Sequence, residues 1–240
     1  MLHIGILAHS GDGSALCYLE AIRESARRLG AHRHPEITMS ILPMAESLEA
    51  WERMDLDAIN AHLMATAARL AAAGCDFFVC PDNTAHIALD AAREPYPLPG
   101  LHIADIVAQR AKADGRKRVG LLGTRYTMEG PAYPAAFARH GVELRTPPAA
   151  DRELLNRFIF DELTQGEITR EARTEFVRVI EALKGEGCDA TALSCTEIPL
   201  LITPENSPLP TLDSTRLLAR QAVATALAAA PMPSWRGGPM

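Results

Sequence analysis

The chain has 240 residues, 48% hydrophobic and 22% charged, enough for one large or two small domains with real cores. A formal net charge of -6 argues against nucleic acid as the main partner, because phosphate binding wants a basic face. No apolar run approaches a membrane span, the Ala-rich stretch from Ala222 to Ala230 being too short, and Met1-Leu2-His3-Ile4-Gly5 lacks the pattern of a signal peptide, so the expectation is a soluble cytoplasmic protein.

In chain order, short apolar runs alternate with helical patterns. The predicted strands are His3–Ala8, Ile37–Leu42, Asp76–Cys80, Leu101–Ile103, Arg118–Leu122, Val142–Arg145 and Ala190–Ser194. The predicted helices are Ser14–Leu29, Asp55–Ala73, Thr84–Ala92, Ala104–Ala113, Ala132–His140, Arg152–Leu163, Arg170–Glu186 and Ser214–Ala229. The strands are uniformly apolar rather than alternating, as expected of parallel strands covered by helices on both faces. From Pro231 onward, prolines and Gly237-Gly238 predict a mobile end. Five cysteines without a secretion signal predict free thiols. The absence of C-x-x-C and H-x-x-x-H spacings argues against structural zinc, and no metal site is expected.

The chain repeats itself. Ile4-Gly5-Ile6-Leu7-Ala8 resembles Val119-Gly120-Leu121-Leu122-Gly123, an offset of 115 residues from Ile4 to Val119. Ala73-Gly74-Cys75-Asp76 resembles Glu186-Gly187-Cys188-Asp189, an offset of 113 from Gly74 to Gly187. The second offset carries Asp82 onto Cys195, so two copies of one βα unit each carry a reactive side chain just past a strand.

The loops that follow are Cys80-Pro81-Asp82-Asn83-Thr84-Ala85-His86 and Ser194-Cys195-Thr196-Glu197-Ile198-Pro199. Carboxyl ends of parallel strands are where α/β sheets place ligands. Asn83, Thr84 and Thr196 are helix-capping types, and exposed backbone N–H groups at such ends bind carboxylates. Burial and a neighbouring thiolate are expected to raise the pKa of Asp82. Cys80 is read as a buried strand-end thiol, with a catalytic role as the competing reading, and Cys75, Cys188 and Cys17 as core. The turn His9-Ser10-Gly11-Asp12-Gly13-Ser14 is a weak nucleotide fingerprint and reads better as an anion-binding or simply tight turn. Arg125 and Glu129 read as a surface i,i+4 pair, and His86 chiefly as a packing residue.

Several segments together resemble the aspartate/glutamate racemase family. These are Asn83-Thr84-Ala85-His86, His102-Ile103-Ala104-Asp105, Leu122-Gly123-Thr124-Arg125-Tyr126-Thr127-Met128-Glu129, Ser194-Cys195-Thr196-Glu197-Ile198-Pro199-Leu200-Leu201 and Leu212-Asp213-Ser214-Thr215, in the family's order. The resemblance implies two pseudo-symmetric flavodoxin-like, Rossmann-like parallel-sheet halves with the active site between them. The first would be residues 1–98 with 212–240, and the second residues 99–211. It implies racemisation or epimerisation of an amino acid without pyridoxal phosphate or any other cofactor, in a homodimer with no nucleic-acid or membrane partner.

In that chemistry one cysteine thiolate removes the α-proton and a second cysteine returns one on the opposite face. Cys195 matches one of them; Asp82 stands where the family has the other. By the same resemblance Ser10, Asn83, Thr84, Thr124, Thr127 and Thr196 hold the substrate α-carboxylate, where negative charge builds as the proton leaves. Glu197 either assists proton transfer, orients the substrate amine, or is only a helix-start carboxylate. No residue stands out as a cationic clamp for a distal carboxylate, so the substrate, an amino acid or a dicarboxylate, stays open. Two other readings remain: a related decarboxylase of malonate-type acids or maleate isomerase, and a binding protein that has lost the chemistry.

Overall fold

In the computed structural model, residues 1–236 are described, and they form two compact units. One comprises Met1–Ile103 with the segment that begins at Thr215; the other is Ala104–Ser214. In chain order the elements are β1 (Ile4–Ala8), α1 (Gly11–Leu29), β2 (Ile37–Ile41), α2 (Ala45–Glu52), α3 (Leu56–Ala72), β3 (Phe77–Val79), α4 (Ala85–Ala91) and β4 (Gly100–Leu101). Then come α5 (Ile103–Ala113), β5 (Arg118–Gly123), α6 (Arg125–Glu129), α7 (Ala132–His140), β6 (Glu143–Arg145), α8 (Ala149–Asp161) and a 3₁₀ turn at Leu163–Gln165. The chain ends with α9 (Arg170–Gly185), β7 (Ala190–Ser194), α10 (Ile198–Leu201), β8 (Thr211–Asp213) and α11 (Ser214–Ala226).

Each unit holds one four-stranded, all-parallel sheet, ordered β2-β1-β3-β4 in the first and β6-β5-β7-β8 in the second. The α/β class is therefore as predicted. The central strands β1, β3 and β7 are buried along their whole length, as continuous apolar parallel strands must be. Around the first sheet pack Leu7, Ile59, Leu63, Leu70, Phe78 and Tyr96; around the second, Leu122, Phe176, Ile180, Leu183 and Leu193.

The repeat has a physical basis in register. Ile4 pairs with Phe77 in the first sheet, and Val119 pairs with Ala190 in the second, at the two offsets found in the sequence. The Gly-Cys-Asp motif is a helix stop followed by a strand entry. Gly74 and Gly187 take left-handed backbone at φ 83° and 89°, a conformation that costs other residues a clash with Cβ. The next N–H groups turn back: Cys75 donates to the Leu70 carbonyl at 3.1 Å, and Cys188 to that of Leu183 at 3.0 Å. Asp76 and Asp189 then open the strands by donating N–H to the carbonyls of His3 and Arg118, both at 2.9 Å. Burial pushes the thiols of Cys75 and Cys188 up to about 11, as suits core cysteines.

Several predicted boundaries shift. α1 begins at Gly11, so the glycine-rich turn is its first turn, entered from Ser10 in extended backbone. Leu101–Ile103 divides: Gly100–Leu101 is the fourth strand of the first sheet, and Ile103 opens α5. β8, α2, α6 and α10 were not expected, and the divisions fall at Ile103/Ala104 and Ser214/Thr215 rather than at 98/99 and 211/212. The expected mobile end is anchored as far as Arg236; Gly237–Met240 lie outside the described residues. The Gly100 N–H donates to the Trp235 carbonyl at 2.8 Å and the Tyr96 N–H to that of Arg236 at 2.8 Å.

α11 returns to the first unit through charge as well as packing. Glu20, 5% exposed at its side chain, accepts from Arg220 of α11 at 2.8 Å and from Arg27 at 2.7 Å. Burial raises the Glu20 carboxyl, but the two guanidinium hydrogen bonds and charges outweigh it and hold it below the usual range. Removing one cation from a buried carboxylate destabilises, moderated here by the half-exposed Arg220 and by the remaining Arg27. Arg220→Ala is expected to cost about 1–2 kcal/mol in urea denaturation at neutral pH. The difference from wild type is present above the ordinary glutamate pKa and shrinks as pH falls through the lowered folded value. Gly187→Ala is expected to cost about 1–2 kcal/mol, from left-handed backbone and from a Cβ placed 2.8 Å from Arg118 Nη1. Gly74→Ala, with open space at that Cβ, is expected to cost only the backbone share.

Candidate functional site

In the first unit the register sets the neighbours. Ile6 pairs with Val79, and three residues beyond each of them His9, the first residue after β1, meets Asp82, the third after β3. His9 Nδ1 and Asp82 Oδ2 are 2.6 Å apart, with the side chains 2% and 13% exposed. The other carboxylate oxygen, Oδ1, accepts from the backbone N–H of Thr84 at 2.9 Å and of Ala85 at 3.1 Å. The residue that caps the start of α4 is therefore Asp82; the expected capping types Asn83 and Thr84 stand beside it, Asn83 buried and Thr84 half-buried. Ser10, half-buried, follows His9 at the head of α1.

The expected rise in the Asp82 pKa is overturned. Burial raises it, but the His9 hydrogen bond and charge, helped by the Ala85 N–H, outweigh burial and hold the carboxyl below the usual carboxylate range. His9 is matched in sense: burial lowers its pKa, and the bond and charge of Asp82 carry it above the ordinary histidine value. His9 Nε2 lies 3.2 Å from Trp51 Nε1 and 3.3 Å from Ser47 Oγ, both from α2.

His86 braces this loop. Its ring is fully buried; Nδ1 lies 2.9 Å from the Asp82 carbonyl, and Nε2 accepts the Ile103 N–H at 3.2 Å. A backbone N–H can only donate, so Nε2 carries no proton and Nδ1–H is the donor to Asp82. Burial, followed by the charge of His102, pushes the His86 pKa down to about 3, so the ring stays neutral. Trp235 stacks on it at a centroid distance of 5.3 Å and an interplanar angle of 6°, and donates Nε1–H to Asp90 at 3.2 Å. Cys80 is fully buried, its Sγ 4.0 Å from the Asp82 carbonyl, and burial pushes its thiol strongly up.

The second unit repeats the construction with other chemistry. Gly123 pairs with Ser194, so Thr124 and Cys195 leave the sheet side by side. Cys195 donates Sγ–H to Glu197 Oε2 at 2.9 Å. The thiol sits at the edge of the core, 9% exposed, with Thr196 and Glu197 buried next to it. Its hydrogen-bond partner is a carboxylate that can take up the sulfur's proton. Thr124 caps α6, accepting the Thr127 N–H at 3.2 Å, and the two hydroxyls lie 3.1 Å apart. The expected Arg125–Glu129 pair does not form: Glu129 binds Arg152 at 3.0 Å, and Arg125 lies over the Tyr126 ring.

Within the units, then, Asp82, Asn83 and Thr84 gather at the end of β3, and Thr124, Thr127, Cys195, Thr196 and Glu197 at the ends of the paired strands β5 and β7. Sequence reasoning missed His9, Ser47 and Trp51. The signal for His9 was present: the offset of 115 that aligns β1 with β5 carries it onto Thr124, already a candidate. Among the described residues no three His, Cys, Asp or Glu side chains form a metal-binding group, and no helix is long and apolar enough to cross a membrane.

Comparison with known proteins agrees with this construction. Residues 5–222 match the family described as Asp/Glu/Hydantoin racemase. The broad specificity amino-acid racemase RacX of Bacillus subtilis is 24% identical over 94% of this chain and 98% of its own. The glutamate racemase of Mycobacterium leprae is 33% identical over 62% of this chain, a match that spans about half (53%) of that enzyme. Among solved structures, a Yersinia pestis protein proposed to be an Asp/Glu racemase superposes with a TM-score of 0.85, at 33% identity, over 95% of this chain and all of that one. An aspartate racemase homologue from Pyrococcus horikoshii gives 0.80 at 27% identity, over 95% of this chain and 100% of that one. The chain belongs to the Asp/Glu/Hydantoin racemase family.

Proposed function

We propose that the protein is a cofactor-independent amino-acid racemase or epimerase in which Cys195 and Asp82 are the two acid/base groups acting on one α-carbon. The observation that carries this reading is the Cys195–Glu197 hydrogen bond, a thiol already poised on a base at 2.9 Å, at the repeat position occupied by Asp82 in the other unit.

In one direction Cys195 first gives its proton to Glu197, and the resulting thiolate takes the α-proton. In the other, the Cys195 S–H bond breaks as a C–H bond forms on the carbanion, and the thiolate left behind takes its proton back from Glu197. Asp82 does the matching work for the opposite face. The carbanion's charge spreads onto the substrate carboxylate, where the hydroxyls and N–H groups of Thr124, Thr127, Thr196, Asn83, Thr84 and Ser10 serve as preorganised donors. RacX of B. subtilis, named for broad specificity, is consistent with a site built around the shared α-carboxylate and α-proton rather than around one side chain.

A thiol and a carboxyl group are unequal acids, yet racemisation connects species of equal free energy. The ratio of kcat/KM in the two directions is therefore fixed at unity, and the inequality surfaces in kcat and KM taken separately.

Incubation in D₂O with the separate enantiomers of aspartate, glutamate, serine and lysine tests the reading: inversion with deuterium at Cα is expected for at least one pair. Carbon dioxide release from malonates with no inversion points instead to a decarboxylase, and binding without exchange to a protein that has lost the chemistry. Cys195→Ala is expected to abolish exchange; undiminished turnover would remove the sulfur from the mechanism. Glu197→Gln keeps the shape but accepts the S–H far more weakly, and is expected to lower kcat by about 10²-fold and to shift the basic requirement of the pH profile upward. Asp82→Cys is expected to bring the kcat values of the two directions closer together.

A further inference from the structure

We propose that His9 is the proton store of Asp82, so that the His9–Asp82 pair, rather than the carboxylate alone, takes and returns the proton at that position. The inference rests on the reading of Asp82 as one of the two acid/base groups and goes beyond it by assigning the role to a residue outside the family-like motifs.

The argument begins from a mismatch. A group that replaces a thiol in racemisation must both accept and donate a proton near neutral pH. Asp82 accepts three hydrogen bonds, from His9, Thr84 and Ala85, and each favours the ionised form. Such a carboxylate accepts a proton weakly and, by itself, almost never holds one to give back.

His9 supplies what is lacking, because its far nitrogen has two partners of opposite capability. The Trp51 indole N–H can only donate, so a bond to Nε2 at 3.2 Å requires a bare lone pair there and a neutral ring with its proton on Nδ1. Ser47 Oγ lies 3.3 Å from the same nitrogen and gives its own proton to the Met44 carbonyl at 3.0 Å, which leaves oxygen lone pairs for an Nε2–H. Ser47 can therefore hold Nε2–H both in the imidazolium and in the neutral ring left when Nδ1 gives up its proton, while Trp51 holds the other neutral tautomer, without any change of fold. In the loaded state Nδ1–H donates to Asp82 Oδ2 and Nε2–H to Ser47.

The Nδ1 proton then moves along the 2.6 Å bond onto Oδ2. The O–H bond of the acid so formed breaks as the new C–H bond forms, His9 is left neutral with its proton on Nε2, and a proton taken from solvent by the 13%-exposed Asp82 carboxylate passes to Nδ1 and reloads the pair. In the reverse sense the α-proton arrives on Oδ2 and passes to Nδ1.

The surroundings restrict the pair to one extra proton. From α3 the His62 ring faces His9 at a centroid distance of 6.2 Å, and burial, followed by the charge of His9, holds His62 below the ordinary value, so it stays neutral while His9 is charged. Trp51 and Ser47 of α2 are uncharged; Glu46, exposed on the same helix, acts on His62, and the neutral His86 of α4 lies on the far side of Asp82.

Two measurements on the full chain decide the matter. In the first, ¹⁵N-detected imidazole spectra are followed from pH 5 to 9 in wild type and Asp82→Asn. His9 is expected to gain its second proton in this range in the wild type, and at distinctly lower pH in the variant. A His9 that stays neutral throughout, or titrates identically in the two proteins, overturns the proposal. In the second, His9→Asn keeps a donor toward Asp82 but cannot titrate. Its kcat/KM profile is expected to lose the limb set by His9, with kcat down by about 10²-fold and KM within about two-fold. Loss of activity with an unmoved pH profile would mean that His9 only supports the loop, and overturns the proposal as well. Should no enantiomer of aspartate, glutamate, serine or lysine exchange its α-proton in the wild type, the racemase reading fails, and the titration alone decides whether the pair shares its proton.

Discussion

The constraint on which the rest of the structure depends is the register between the two central strands of each sheet. Pairing Ile4 with Phe77, and Val119 with Ala190, decides which residues emerge side by side where the strands end. Parallel pairing makes every strand point the same way, so all the strand-end loops of a unit collect at one edge. A shift of one residue in β3 would turn Asp82 away from His9 and exchange the two covered faces that Phe77 and Phe78 fill, and the close packing of both opposes such a slip. The polar side chains at the strand ends are thus placed by the packing of the strands that precede them.

Much of this was legible in the sequence because the same signals appear twice. The Gly-Cys-Asp turns mark helix stops that require left-handed backbone, and they locate β3 and β7 to within a residue. Asp82 and Cys195 follow from those anchors. What escaped notice was structure defined by a partner rather than by a pattern. β8 has only three residues, too few for a periodicity to announce it, and is a strand because Thr191 pairs with it; the two residues of β4 were expected in displaced form, at Leu101–Ile103. α2 lies in a stretch to which the sequence assigned no element, yet Ala50 and Trp51 bury against the first core. The ionisation of Asp82 was misjudged for a related reason. Burial was foreseen, whereas a compensating histidine 73 positions earlier in the chain has no signature in the local sequence.

Carboxylates drawn partly or largely out of water are handled in the same manner at three places. Glu20 meets two arginines, Asp82 meets a histidine and two backbone N–H groups, and Asp90 meets His102 and the Trp235 indole. In each case the cost of removing a carboxylate from water is offset by directed donors, which keeps the group ionised. The Cys195–Glu197 contact departs from this rule, since the donor there is a thiol that can surrender its proton outright.

The path of the chain has a consequence for biosynthesis. The unit spanning Ala104–Ser214 is continuous, whereas the other needs α11 against α1 and Trp235 against His86. During translation the unit spanning Ala104–Ser214 can therefore finish first, while the first sheet waits, incompletely covered, for residues made after it. Chaperone engagement and susceptibility to early termination should accordingly concentrate on the segment up to Ile103.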